Sequence, residues 1–122
     1  MAYVGVVLIS HSSKIVEGMK ELIRQVIYDV PIELAGGTEE NEIGTSIDKI
    51  TRAINLADKG EGVILFYDIG SAKMNAEIAI ELSESEVVLV EAPLVEGSYI
   101  AAVESGMGRS LQEIKRAVEK AF

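Results

Sequence analysis

Apolar residues follow two alternating rhythms along this chain, and the alternation predicts its fold. Tyr3 to Ile9 is a nearly unbroken apolar run rich in valine, the pattern of a strand buried on both faces in a parallel sheet. From Ser12 the period changes. Ile15, Met19, Leu22, Ile23, Val26 and Ile27 recur at helical spacing, with Ser12 or Ser13 placed to cap the start and Pro31 to enforce the end. Ile32 to Ala35 alternates apolar with polar residues and predicts a short strand near the sheet edge, broken by Gly36-Gly37. After the acidic loop Thr38 to Gly44, the spacing of Ile47, Ile50, Ile54 and Ala57 predicts a second helix capped by Thr45 or Ser46.

The same rhythm repeats in the second half. Lys59 to Gly62 is turn chemistry, and Val63 to Tyr67 is another unbroken apolar run, ending on Asp68. Gly70-Ser71-Ala72 opens a third helix, with Met74, Ile78 and Leu82 on one face and Lys73, Glu77 and Glu81 on another. Val87 to Val90 reads as a buried strand that stops at Glu91-Ala92-Pro93. Leu94 to Ser105 then reads as a helix around Ile100, Ala101 and Val103. Beyond a turn at Gly106 to Gly108, Ser110 and Glu113 match a capping box, and Leu111, Ile114, Val118 and Ala121 predict a final amphipathic helix.

This order argues for an α/β layer fold whose parallel strands are joined by right-handed crossovers. The expected architecture is a doubly wound, mainly parallel four-stranded sheet of order 2-1-3-4 flanked by helices. In it strands 1 and 3 are neighbours, and their carboxyl ends form the switch-point crevice where such folds bind ligands. His11 and Asp68 leave those two ends.

Composition narrows the picture. The 122 residues suit a single domain, 1–122, and the two prolines leave little room for disordered linkers. The apolar runs fall far short of the ~20 residues of a membrane-spanning helix, and no signal-peptide pattern precedes them, so a cytoplasmic protein is expected. The absence of cysteine excludes disulfides and thiolate metal sites, and one histidine cannot form a His-rich cluster. A net charge of −9, from 20 acidic and 11 basic residues, makes nucleic acid and anionic membranes poor partners and favours a protein with a basic patch.

Three features could carry chemistry. His11 is either a nucleophile or acid/base, or a hydrogen-bonded loop residue. Asp68 either holds the imidazole in one tautomer or caps a turn. Gly70, Ser71 and Ala72 offer backbone N–H groups, a hydroxyl and the positive end of a helix to an anion, or simply cap that helix. Gly37 and Thr38 form a similar, weaker turn. Lys14, Lys73 and the run Glu39, Glu40, Glu42 read as solvated surface.

Three strand ends thus bring a histidine, a Gly-Gly-Thr turn, and an aspartate with a helix start to one rim. That convergence suggests a phosphoryl group passing through His11 while N–H and hydroxyl donors bear the charge of its oxygens. With no nucleotide loop in the chain, the expected phosphoryl donor is another protein.

Four separated stretches, SHSSKIVEGMKEL, AGGTEENEIGTSIDKI, YDIGSAKMNAEIAIEL and APLVEGSYIAAVESG, together resemble the phosphotransferase subunits, DhaM, of phosphoenolpyruvate-dependent dihydroxyacetone kinases. The resemblance implies the fold of mannose-type IIA domains of the sugar phosphotransferase system, and a homodimer. It also implies that His11 takes a phosphoryl group from the carrier HPr and passes it to ADP on the kinase subunit DhaL, whose ATP phosphorylates dihydroxyacetone on DhaK. Asp68 matches the aspartate beside the histidine, and Gly70-Ser71-Ala72 the turn holding the phosphoryl oxygens; Gly37 and Thr38, of which Thr38 matches less closely, are expected to bind the phosphoryl group with them. No cofactor is expected on this chain; ADP and ATP belong to the partner kinase subunit.

Longer relatives continue into HPr-like and enzyme I-like domains, whereas this sequence ends at Phe122, so its donor is expected to arrive as a separate protein. Lys73 and Asn75 depart from more apolar relatives. Three other readings remain: a IIA domain for a mannose-type sugar permease, a non-catalytic anion-binding regulatory module, and a small hydrolase. The last lacks a second histidine, a cysteine or a nucleophile elbow.

Overall fold

The computed structural model describes residues 2–122. Four strands, β1 (Gly5–Ser10), β2 (Ile32–Gly36), β3 (Val63–Tyr67) and β4 (Val87–Leu89), alternate with helices α1 (Ser13–Ile23), α2 (Ile47–Ala57), α3 (Ser71–Leu82) and α4 (Leu94–Gly106). Helix α5 (Leu111–Ala121) follows. The sheet order is β2-β1-β3-β4 and every pairing is parallel, as the strand-helix alternation predicts. Ile32 to Ala35 indeed lies in an edge strand.

Alternation along β1 divides the interior in two. Val6 and Leu8 join Ile64 and Phe66 in a core closed by α1, α4 and α5. Val7 and Ile9 join Val63 and Leu65 in a second core closed by α2 and α3. Each such side chain, fully buried, contributes about 1.5–3 kcal/mol, which is why β1 and β3 carry no polar alternation.

Two of the predicted helix faces differ in the structure. In α1, Val16, Met19 and Ile23 are buried while Ile15 and Leu22 are exposed, as is Val26 in the turn that follows. The helix passes so close to β2 that a Cβ on Gly36 would lie 2.5 Å from Val16 Cγ2, and this approach selects the inward row. Pro31 does not end α1. The helix stops at Ile23, in a turn that Arg24 ties by donating from Nη1 to the Ile27 carbonyl. In α3, the larger side chains Met74, Ile78 and Leu82 face solvent and Ala72, Ala76 and Ala79 face the core.

The caps follow the sequence more closely. Ser46 accepts from the Lys49 N–H and so starts α2, and Ser110 with Glu113 closes a reciprocal capping box on α5. No helix among the described residues is long and apolar enough to cross a membrane.

Candidate active site

Parallel pairing of β1 with β3 sets Ile9 level with Tyr67. The residues that leave the sheet just beyond, Ser10, His11 and Asp68, therefore emerge side by side at its carboxyl edge. Close packing of two apolar strands thus juxtaposes polar groups that are 57 residues apart in sequence.

Asp68 is the centre of the cluster. Its Oδ1 accepts from His11 Nδ1 at 3.0 Å and from the Ile69 N–H at 2.7 Å. Its Oδ2 accepts from the Ser10 hydroxyl at 2.8 Å and from the His11 N–H at 2.9 Å. Four donors saturate one carboxylate. Burial alone would raise its pKa, but the hydrogen bonds from the His11 backbone and ring, the Ile69 N–H and Ser10 outweigh that and hold it below the ordinary aspartate range.

An ionised carboxylate can only accept, so the proton of a neutral imidazole resides on Nδ1. Nε2 is left with its lone pair outward. It lies 2.7 Å from the Ser71 hydroxyl, which donates to it. His11 and Asp68 side chains keep 19% and 16% of their exposure, enough for a reactant to reach Nε2 while the Asp68 contact stays sheltered.

Gly70 occupies the N-cap position of α3 and Ser71 its first turn. Ala72 and Lys73 donate their N–H groups back to the Ile69 and Gly70 carbonyls, whereas the first N–H groups of a helix have no acceptor within it. The Gly70 and Ser71 N–H groups lie at this open end of the helix, with the Ser71 hydroxyl alongside.

Gly37 and Thr38 are near the rim but differently employed. The Gly37 N–H donates to the Ser10 carbonyl at 3.0 Å, and the positive φ of 74° at this residue suits glycine. Thr38 closes its own loop: its N–H donates to the Glu42 carbonyl and its Oγ1 accepts from the Glu42 N–H. These groups build the wall beside His11, which the Gly44 N–H completes by donating to the His11 carbonyl at 2.9 Å.

Ser10 belongs to the same cluster. It is fully buried, donates to Asp68, and accepts from the Ser12 N–H at 3.0 Å. A polar residue closing an apolar strand directly before the histidine was the available signal. Lys73, read as solvated, pairs with Glu91. Glu39 in the acidic loop is held by Arg52 and Ser46. No group of three or more His, Cys, Asp or Glu residues able to hold a metal ion exists among the described residues.

The family model for EIIA-man, described as the PTS system fructose IIA component, matches residues 5–115. With its order-2-1-3-4 sheet, the chain belongs to this family of phosphotransferase-system IIA domains. Within the family, its similarity extends to subunits of one kinase system. It is 49% identical to the phosphoryl donor subunit DhaM of PEP-dependent dihydroxyacetone kinase 1 from Listeria innocua, covering 84% of this chain and 82% of that protein.

The phosphotransferase subunit DhaM of PTS-dependent dihydroxyacetone kinase from Lactococcus lactis is 37% identical, over 95% of this chain and 94% of its own. The Escherichia coli DhaM is 36% identical, but the match spans only 25% of that longer protein. Among solved structures, a protein of unknown function is 33% identical and superposes with a TM-score of 0.87 over 98% of this chain and 95% of its own. A sigma-54 interaction domain protein from Enterococcus faecalis shares the fold at 16% identity, with a TM-score of 0.78 over 99% of this chain and 91% of its own.

Proposed function

We propose that this chain is the phosphohistidine relay subunit of a PEP-dependent dihydroxyacetone kinase. The observation that carries the reading is the ionised Asp68 on Nδ1, which leaves Nε2 as the nucleophile at an exposed helix start. The DhaM relatives supply the system in which such a nucleophile serves.

In this reading the Nε2 lone pair attacks the phosphorus of phosphohistidine on HPr. The N–P bond of the donor breaks and its electron pair returns to the donor ring. The Ser71 hydroxyl swings from Nε2 to a phosphoryl oxygen, joined by the Gly70 and Ser71 N–H groups, while Gly37 and Thr38 brace the backbone beside His11. Asp68 balances the positive charge that the substituted ring acquires, keeping Nδ1 protonated throughout. Transfer onward reverses the polarity: a terminal oxygen of ADP on the kinase subunit DhaL attacks phosphorus, and the electron pair of the His11 N–P bond returns to Nε2. ATP formed there phosphorylates dihydroxyacetone on DhaK. The nucleotide belongs to the partner, and this chain brings no cofactor of its own. It acts as one cytoplasmic domain and as a homodimer, which the molar mass in solution tests.

Incubation with phosphoenolpyruvate, enzyme I and HPr should add one acid-labile, base-stable phosphoryl group per chain, lost again to ADP-loaded DhaL. His11→Ala should abolish uptake without unfolding the chain. Uptake by a folded His11→Ala variant would refute the reading. The family description alone equally suits a sugar-permease IIA domain, for which the phosphoryl group would pass to a IIB domain and not to DhaL. Absence of any covalent uptake would point to a non-catalytic anion-binding module.

A further inference from the structure

Lys49, in the first turn of α2, lies outside the residues assigned to phosphoryl transfer. Its ammonium is turned back onto the sheet. Nζ donates to the carbonyl of Gly36, the last residue of β2, at 2.9 Å, and to Asn41 Oδ1 at 2.6 Å. The peptide unit that presents the Gly36 oxygen also carries the Gly37 N–H, which donates to the Ser10 carbonyl at 3.0 Å. The next unit, Ser10–His11, carries the His11 N–H, which donates to Asp68 Oδ2 at 2.9 Å.

An ammonium, two peptide units and a carboxylate therefore stand in one hydrogen-bonded line from the sheet edge to the reactive pair. Each peptide turns its oxygen toward the cation and its N–H toward the anion, so every bond polarises the next in the same sense. Both terminal bonds are charge-assisted.

We propose that Lys49 is a positioning residue for the His11–Asp68 pair, acting across the sheet through the Gly36–Gly37 and Ser10–His11 peptides. It strengthens the hydrogen bond from the His11 N–H to Oδ2, and that bond fixes the carboxylate so that Oδ1 stays aligned with Nδ1. The competing role is local. Through Asn41, Lys49 also braces the acidic loop, and this alone would leave the pair untouched.

The two roles separate by comparing Lys49→Met, which keeps the aliphatic stem and removes every donor, with Asn41→Gly. The second removes only the loop partner and suits the positive φ of 61° at that position. The readouts are the His11 amide proton shift and hydrogen exchange, the ring 15N shifts that report the tautomer, and the initial rate of phosphoryl uptake from HPr. Lys49→Met should move the His11 amide upfield, speed its exchange, admit the other tautomer and slow uptake about threefold. Asn41→Gly should match the unsubstituted protein in all four.

An unmoved amide in Lys49→Met, an amide that moves while uptake does not slow, or equal effects from Asn41→Gly would each overturn the proposal. The rate readout rests on His11 being the phosphorylated residue; the spectra do not. A protein that takes up no phosphoryl group would therefore defeat the relay reading while the amide and ring signals still decide the role of Lys49.

Discussion

Helices α3 and α5 have nearly the same length, twelve and eleven residues, and cover opposite faces of the sheet, yet they are built on opposite plans. Helix α5 turns Leu111, Ile114 and Val118 inward and keeps its polar residues outside. Helix α3 turns three alanines inward and leaves Met74 and Leu82 65% and 66% exposed. Small inward residues let a helix axis approach its neighbours closely, at the expense of buried apolar area. Helix α3 is correspondingly tied by polar bonds: Asn75 Nδ2 donates to Thr45 Oγ1 at 2.5 Å, and the Asp68 cluster grips the chain just before its start. One helix supplies stability by burial. The other is set close so that its amino end meets His11.

Four substitutions test that contrast. Ile114→Ala in α5 removes a fully buried side chain and should cost about 2–5 kcal/mol in chemical denaturation, with phosphoryl uptake per folded molecule unchanged. A loss well under that range would mean that α5 is not the load it is taken for. Ala76→Leu in α3, at a position with no exposed surface, should cost about 1–3 kcal/mol by overpacking and also slow uptake, because the helix start must shift. A neutral result would show that α3 is not closely seated.

The smallest effect separates the two helix starts by pH. The folded Asp68 pKa is lowered, so its contribution to stability is present above the unfolded value near 3.9 and is lost as pH falls through the folded value. Asp68→Asn should therefore be less stable than the unsubstituted protein at neutral pH, with the gap closing in acid. Glu113 is also lowered, first by the Ser110 backbone N–H, but it is fully exposed, and Glu113→Gln should leave the acid limb of the denaturation midpoint almost unmoved. A gap that persists unchanged to low pH would remove Asp68 from the acid-sensitive set.

This contrast also explains which parts of the molecule were legible in the sequence. Strand order, the α5 face and the Ser46 and Ser110 caps follow from periodicity and local hydrogen bonding, which act over a few residues. The pairing of His11 with Asp68 follows from the strand order, since neighbouring parallel strands must end together. The inward face of α3 is not legible from apolar spacing, because its core side is lined by the small residues Ala72, Ala76 and Ala79 and not by the large Met74, Ile78 and Leu82. Ser10 and Lys49 are illegible for another reason. Their meaning depends on Asp68 and Gly36, 58 and 13 residues away, and no local pattern encodes such partners. The Gly37 and Thr38 N–H groups, expected to face an anion, are consumed by the Ser10 and Glu42 carbonyls.

Strand β1 also acts as a ruler. Its six residues run from Gly5, where a Cβ would lie 2.3 Å from the Ala57 carbonyl oxygen, to Ser10, whose hydroxyl meets Asp68. One end is fixed by steric contact and the other by chemistry. Because successive side chains face opposite cores, adding or removing one residue would exchange the contents of both interiors and turn His11 away from Asp68. Change in chain length is therefore confined to the connections, and the interval from Gly5 to His11, like that from Val63 to Asp68 on the neighbouring strand, is one this architecture cannot vary.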